Sequence, residues 1–202
     1  MDFLHIIFNI LVVLFSVVLH EVSHGIMANS LGDTTAKDLG RITLNPFKHL
    51  DWFGSVLLPF ISYWAGGFIF GYAKPVPYNP ANLRDKKYGP AKVALAGPAV
   101  NIVIALLFGF TLRFLPASLE VTILPQLFSF IVNLNLVLAI FNLMPIPPLD
   151  GHWLLLTFLP NRFAATKVFI LRHSLVLFLI FLFFIFPLIY PLINLLFRAI
   201  VG

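Results

Sequence analysis

Apolar residues in this chain come in long blocks separated by short polar stretches. From Phe3 to Leu19 the only polar side chains are His5, Asn9 and Ser16, so as a helix this block is long enough to cross a hydrocarbon core of about 30 Å. Val93 to Leu115 and Ile123 to Met144 read as two further spans. Leu175 to Ile200 reads as one long kinked span or two short ones, because Pro187 and Pro191 interrupt it. Phe53 to Tyr72 is apolar too, yet it carries Gly54, Pro59, Gly66, Gly67 and Gly71 and is poorly built for one straight helix. Between these blocks, Arg41 to Leu44 alternates and holds β-branched residues, which predicts a short strand after the first span. Pro160 to Arg172 reads as a polar loop.

The expected fold is therefore an all-α polytopic membrane protein of about five to six hydrophobic segments with a small membrane-associated β element. Composition agrees: of 202 residues 60% are hydrophobic and only 10% charged, against about 25% charged in an ordinary soluble domain. Mean hydropathy is +0.98. No basic region or small-residue cleavage site precedes Phe3, so the first block reads as a retained span. The absence of cysteine leaves His, Asp and Glu as metal-binding residues. The net charge of +5 lies in short loops between apolar blocks, a distribution that speaks for membrane topology and against a nucleic-acid partner.

Those basic residues also orient the chain. Lys37, Arg41 and Lys48 precede the Phe53 to Tyr72 segment and Lys74, Arg84, Lys86, Lys87 and Lys92 follow it. A single crossing would put the two groups on opposite sides, whereas a re-entrant hairpin keeps both cytoplasmic. With Arg162, Lys167 and Arg172 added, every basic residue except Arg113 and Arg198 then shares one side.

The chemistry is concentrated near the end of the first block, in His20-Glu21-Val22-Ser23-His24. On a helix, positions four apart lie one turn apart on one face, so His20 and His24 can address one atom while Glu21 points about 100° away. This is the spacing of a zinc pair with a neighbouring base. An acid at membrane depth costs roughly 2.5 to 3.5 kcal/mol on insertion scales, which marks the cluster as functional by default. In the predicted topology the first span and the span ending at Met144 both run from outside to inside. That brings Asp150 to the depth of the histidines and makes it the candidate third ligand. The alternative for Asp150 is a turn or helix-capping aspartate before Gly151.

Three segments in order then resemble the site-2 protease family of intramembrane zinc metalloproteases: His20 to His24 on one span, Gly97-Pro98-Ala99-Val100-Asn101 on the next clear span, and Asn142-Leu143-Met144-Pro145-Ile146-Pro147-Pro148-Leu149-Asp150-Gly151 after the third. The resemblance implies one Zn2+ per chain held by His20, His24 and Asp150, Glu21 as catalytic glutamate, and Asn142 or Asn101 near bound substrate. For both asparagines the alternative is an interhelical hydrogen bond or cap. It also implies cleavage of transmembrane or signal-peptide-like substrates in the bilayer, from the cytoplasmic side of the cell membrane, and leaves homo-oligomerisation open. Many members have a glycine where this chain has His152, an extra preceding span, or soluble domains. The chain reads as one membrane-embedded metalloprotease domain over residues 1–202, with a catalytic core at about 3–151 and C-terminal spans at about 167–201. Iron or cobalt would suit the same ligands. The rival readings are a metal- or proton-conducting transporter and a metal-binding scaffold without turnover.

Overall fold

The computed structural model describes residues 3–66, 71 and 73–202. Its helices are α1 (Phe3–Ser30), α2 (Thr35–Asp38), α3 (Leu58–Gly66), α4 (Gly89–Arg113), α5 (Ala117–Glu120), α6 (Leu124–Asn142), α7 (Gly151–Phe158), α8 (Ala164–Arg172), α9 (Ser174–Ile180) and α10 (Phe186–Val201). Among the described residues, four helical runs are long and apolar enough to cross a membrane: Phe3–Ser30, Gly89–Arg113, Leu124–Asn142 and Ser174–Val201. The residues group into two compact units, 1–84 and 85–202.

In the first unit, α1 is built inside out relative to a soluble helix. Leu4 is 77% exposed while Ser16, His20 and His24 are buried. That pattern suits a helix whose outer solvent is lipid and whose polar groups need partners inside. Beyond α1, the Phe53 to Tyr72 segment begins as a π-helical turn, Trp52–Leu57, capped by Asp51, whose carboxylate accepts the Gly54 N–H at 2.7 Å, and continues into α3. Its ends meet: the Lys74 N–H donates to the His49 carbonyl at 2.8 Å. A single crossing would part those ends by about 30 Å, so the stretch leaves and returns on one side. Residues 67–70 and 72 of this segment lie outside the described residues.

The expected strand at Arg41 to Leu44 does not form, and no strand occurs among the described residues. The Arg41 N–H donates to the Ala36 carbonyl at 2.9 Å and the Thr43 carbonyl meets His49 Nε2 at 2.8 Å, so backbone groups that a ladder would use are taken locally. Arg41 Nη2 donates to the Lys74 carbonyl at 2.9 Å, the Asn45 N–H donates to Thr43 Oγ1 at 3.2 Å, and Asn45 caps the turn Pro46–Lys48. Gly40, at φ +63°, turns the chain immediately before. With no partner strand beside it, period-two alternation alone cannot hold an extended segment.

The second unit is centred on α4 and α6 with α10 against them. Ala105, Val132, Leu136 and Ile193 form its buried core, with Phe108, Ile140 and Ile189 packed around. A side chain at Gly109 would strike Ile200, so glycine is what lets α10 approach α4. Asn101 and Asn135 are fully buried, and Asn101 Nδ2 donates to Asn135 Oδ1 at 2.8 Å while Asn135 Nδ2 donates to the Ile131 carbonyl at 2.9 Å. The C-terminal apolar block is one run, with a π-helical stretch, Phe181–Ile185, joining α9 to α10. Pro187 sits in the first turn of α10, where its missing N–H costs nothing. The expected loop at Pro160 to Arg172 contains α8, which is bent 117° from α7; its apolar residues Val168, Phe169 and Leu171 make helix affordable beside a membrane.

Asn135→Leu strands the buried Asn101 amide and should cost about 1–2 kcal/mol, read as a lower unfolding midpoint in detergent. The double variant Asn101→Leu/Asn135→Leu should lose less than the sum of the two single variants.

Candidate metal centre

The HEVSH segment lies in the last three turns of α1, where helical spacing stacks His20 under His24. Their Nε2 atoms are 3.1 Å apart and their rings meet edge to face at 4.7 Å between centroids. Two nitrogens each about 2.0–2.1 Å from one tetrahedral zinc ion would be about 3.3 Å apart, so the pair fits two ligands of a single ion. Gly25 follows at once, and the space a side chain would need there is filled by Val76, Ile42 and Ala36. The histidine end of α1 can therefore be covered closely by the chain that returns from the hairpin.

That returning segment holds Glu21. The Val76 N–H donates to Glu21 Oε2 at 2.8 Å. Pro75 on one side and Pro77 on the other keep this stretch extended, and it is anchored at both ends. Before Val76, Arg41 grips the Lys74 carbonyl. After it, buried Asp33 accepts the Asn79 N–H at 2.6 Å, Asn82 Nδ2 at 3.0 Å, and both the N–H and hydroxyl of Thr35. The Arg84 N–H closes the far end on the Leu31 carbonyl at 2.8 Å. Burial pushes the Asp33 carboxyl up, but the hydrogen bonds from Thr35, Asn79 and Asn82 outweigh it and hold the group below its ordinary value of 3.8. Asp33 thus fixes the segment that fixes Glu21, a part that Leu31-Gly32-Asp33 shows in sequence only as a turn.

In the second unit, Asp150 directly precedes α7 and its side chain makes no capping hydrogen bond to that helix. Its position is set by Gly151: a side chain there would collide with the carbonyls of Leu143 and Met144, because the proline-rich loop doubles back over it. This is the physical reason for glycine after Asp150. The Pro147-Pro148 peptide in that loop is cis. Asn142 Nδ2 donates to the Leu138 carbonyl one turn back at 2.9 Å. Asn101 is tied to Asn135 as described above. His152 Nδ1 lies 2.6 Å from the Leu149 carbonyl and its ring stacks beside Trp153.

Comparison with known proteins comes out consistently. The profile of peptidase family M50 matches residues 116–185. The "Putative zinc metalloprotease YwhC" of Bacillus subtilis (strain 168) is 35% identical over 195 residues, covering 92% of this chain and 85% of that protein. Two similarly named proteins match over shorter lengths. Rip2 of Mycolicibacterium smegmatis is 36% identical over 142 residues, 69% of this chain and 52% of its own length. MJ0611 of Methanocaldococcus jannaschii is 37% identical over 102 residues, half of each chain. No solved structure matches the chain.

Asp33→Asn keeps the shape but loses the charge and an acceptor, and should destabilise the protein by about 1–3 kcal/mol at neutral pH. Because the folded value of Asp33 lies below 3.8, its ionised form contributes fully above that pH. The contribution fades as pH falls through the lower folded value. The midpoint difference between wild type and Asp33→Asn should therefore be full at neutral pH and shrink on acidification below 3.8. Gly151→Ala should cost about 1–3 kcal/mol or more in the same unfolding measurement, by overpacking against backbone that cannot yield.

Proposed function

The chain belongs to peptidase family M50, the site-2 protease family, and is a zinc metalloprotease of the membrane; from that premise we propose that it hydrolyses peptide bonds within or near transmembrane segments of other membrane proteins. What carries the reading is one juxtaposition: two imidazole nitrogens 3.1 Å apart, buried on a helix whose other faces are apolar and exposed, beside a glutamate held by a backbone amide. On this reading His20, His24 and Asp150 hold the zinc.

Zinc in such a site supplies Lewis-acid polarisation of the substrate carbonyl and acidifies water. The residues of this chain do the rest. His20 and His24 present their Nε2 atoms toward one point and are kept there by the packing of α1. Glu21 handles the proton: with Oε2 held by the Val76 N–H, Oε1 accepts the proton of the attacking water and passes it to the departing amine nitrogen. Val76 contributes through its N–H, so its role does not depend on its side chain. On this reading Asn142 serves substrate binding, while fully buried Asn101, donating to Asn135, holds α4 to α6.

A substrate of this site is a transmembrane or signal-peptide-like segment that unwinds locally, since the helical peptide bond is shielded by its own turns. The distribution of basic residues in the loops supports a site that faces the cytoplasmic side of the cell membrane.

Glu21→Gln should lower cleavage of a model transmembrane substrate by about 10²- to 10⁴-fold while zinc content stays at the wild-type level, because Glu21 is not a ligand. His24→Ala should lose both. Retained cleavage in Glu21→Gln would contradict the protease mechanism, and metal binding without any turnover in wild type would favour a scaffold or transporter.

A further inference from the structure

The polar side chains of α6 fall on two faces. Asn135 and Asn142 are seven residues apart and so lie within about 20° of one another around the helix. Both are bonded inside the chain: Asn135 to Asn101 and the Ile131 carbonyl, Asn142 to the Leu138 carbonyl. Ser129 and Asn133, four residues apart, share a different face, since Asn133 is nine residues and thus about 180° from Asn142.

On that second face a cavity of about 280 Å³ opens between α6 and α10, lined by Ser129, Phe130, Asn133, Asn194 and Phe197. The three polar residues are half-buried, and among the described residues their side chains have no hydrogen-bond partner. Two amides and a hydroxyl thus meet at one opening in helices that are otherwise apolar enough to span a membrane. A lipid chain can fill such a space, but it neither donates nor accepts, so the amides would stay unsatisfied. Interhelical bonding by Ser and Asn is the way spans meet that need.

The chemistry of the lining narrows the partner. No charged residue lines the cavity, so whatever enters it need bring no charge into hydrocarbon. An asparagine amide both donates and accepts, which makes this surface complementary to itself. A partner must also carry its polar groups at the right depth. A second copy inserted the same way in the same bilayer does so necessarily, and a two-fold axis along the membrane normal turns this patch of each copy toward the same patch of the other.

We propose that this cleft is the contact between two copies of the chain, with Asn133 and Asn194 of each bonded to the amides of the other and Phe130 and Phe197 packed around them. Pairing there uses the face of α6 opposite the one that bears Asn142. Nothing in it depends on zinc or on proteolysis, and its test uses neither.

The chain has no cysteine, so Lys37→Cys, at an exposed position, gives a single site for donor or acceptor dyes. The two labelled forms of the full chain are mixed in phosphatidylcholine vesicles over a range of protein-to-lipid ratios and energy transfer is read. Transfer should saturate well above the level of copies placed at random. Asn133→Leu and Asn194→Leu should each raise the half-saturating ratio about fivefold, and Asn133→Gln should retain pairing. Because these amides have no partner within one copy, Asn133→Leu should leave the unfolding midpoint measured in dilute detergent unchanged, unlike Asn135→Leu. Transfer at the random level, or pairing that survives the double variant Asn133→Leu/Asn194→Leu, would overturn the proposal. So would a lowered midpoint in Asn133→Leu, which would place that amide in the chain's own packing.

Discussion

Polar groups carried into hydrocarbon must find partners there, because no water will solvate them. In this protein that constraint decides where the chain can go. Asn101 and Asn135 are both fully buried, and the bond that Asn101 donates to Asn135, which donates in turn to the Ile131 carbonyl, ties α4 to α6. His20 and His24 turn inward from a helix whose other faces meet lipid, and bring their nitrogens together. Glu21 takes a backbone N–H from a segment that itself has to be brought back from a hairpin. The site is thus assembled from obligations that each polar group would otherwise leave unmet.

The same constraint explains how the returning segment is held. A single backbone N–H, that of Val76, has to meet Glu21 Oε2 at 2.8 Å, so the stretch bearing it cannot drift. Arg41 fixes it from one end and Asp33 from the other, the latter with four donors on one carboxylate. Gly25 removes the side chain that would keep Val76 away from α1. Positioning a base in a membrane therefore calls on residues spread over the first unit, most of them in loops.

The spans and the metal pair were legible in the sequence because their signals are periodic and local: unbroken apolar blocks, and two histidines at helical spacing. The charge pattern favoured a re-entrant Phe53 to Tyr72 segment, since basic residues on both sides share one face only if the chain returns, but sequence left open whether it dips or crosses. Arg41 to Leu44 misled because alternation says nothing about whether a partner strand exists. The contribution of Val76 was invisible, since an N–H belongs to every residue but proline, and Asp33 showed only as a turn because its donors arrive from Asn79 and Asn82, far along the chain. Asn135 carried no signal beyond being an asparagine in an apolar block. Gly151 was visible as part of a motif, while the carbonyls that require it were not.

The proposed zinc ligands are two imidazoles of α1 and the carboxylate of Asp150. X-ray absorption at the zinc edge, on protein purified in detergent, tests this assignment most directly. Wild type should show two imidazole nitrogens and oxygen donors at about 2.0–2.2 Å with no sulfur, and Asp150→Ala should lose either the ion or one oxygen from that shell. A wild-type shell with fewer than two imidazoles, or a shell unchanged in Asp150→Ala, would contradict it.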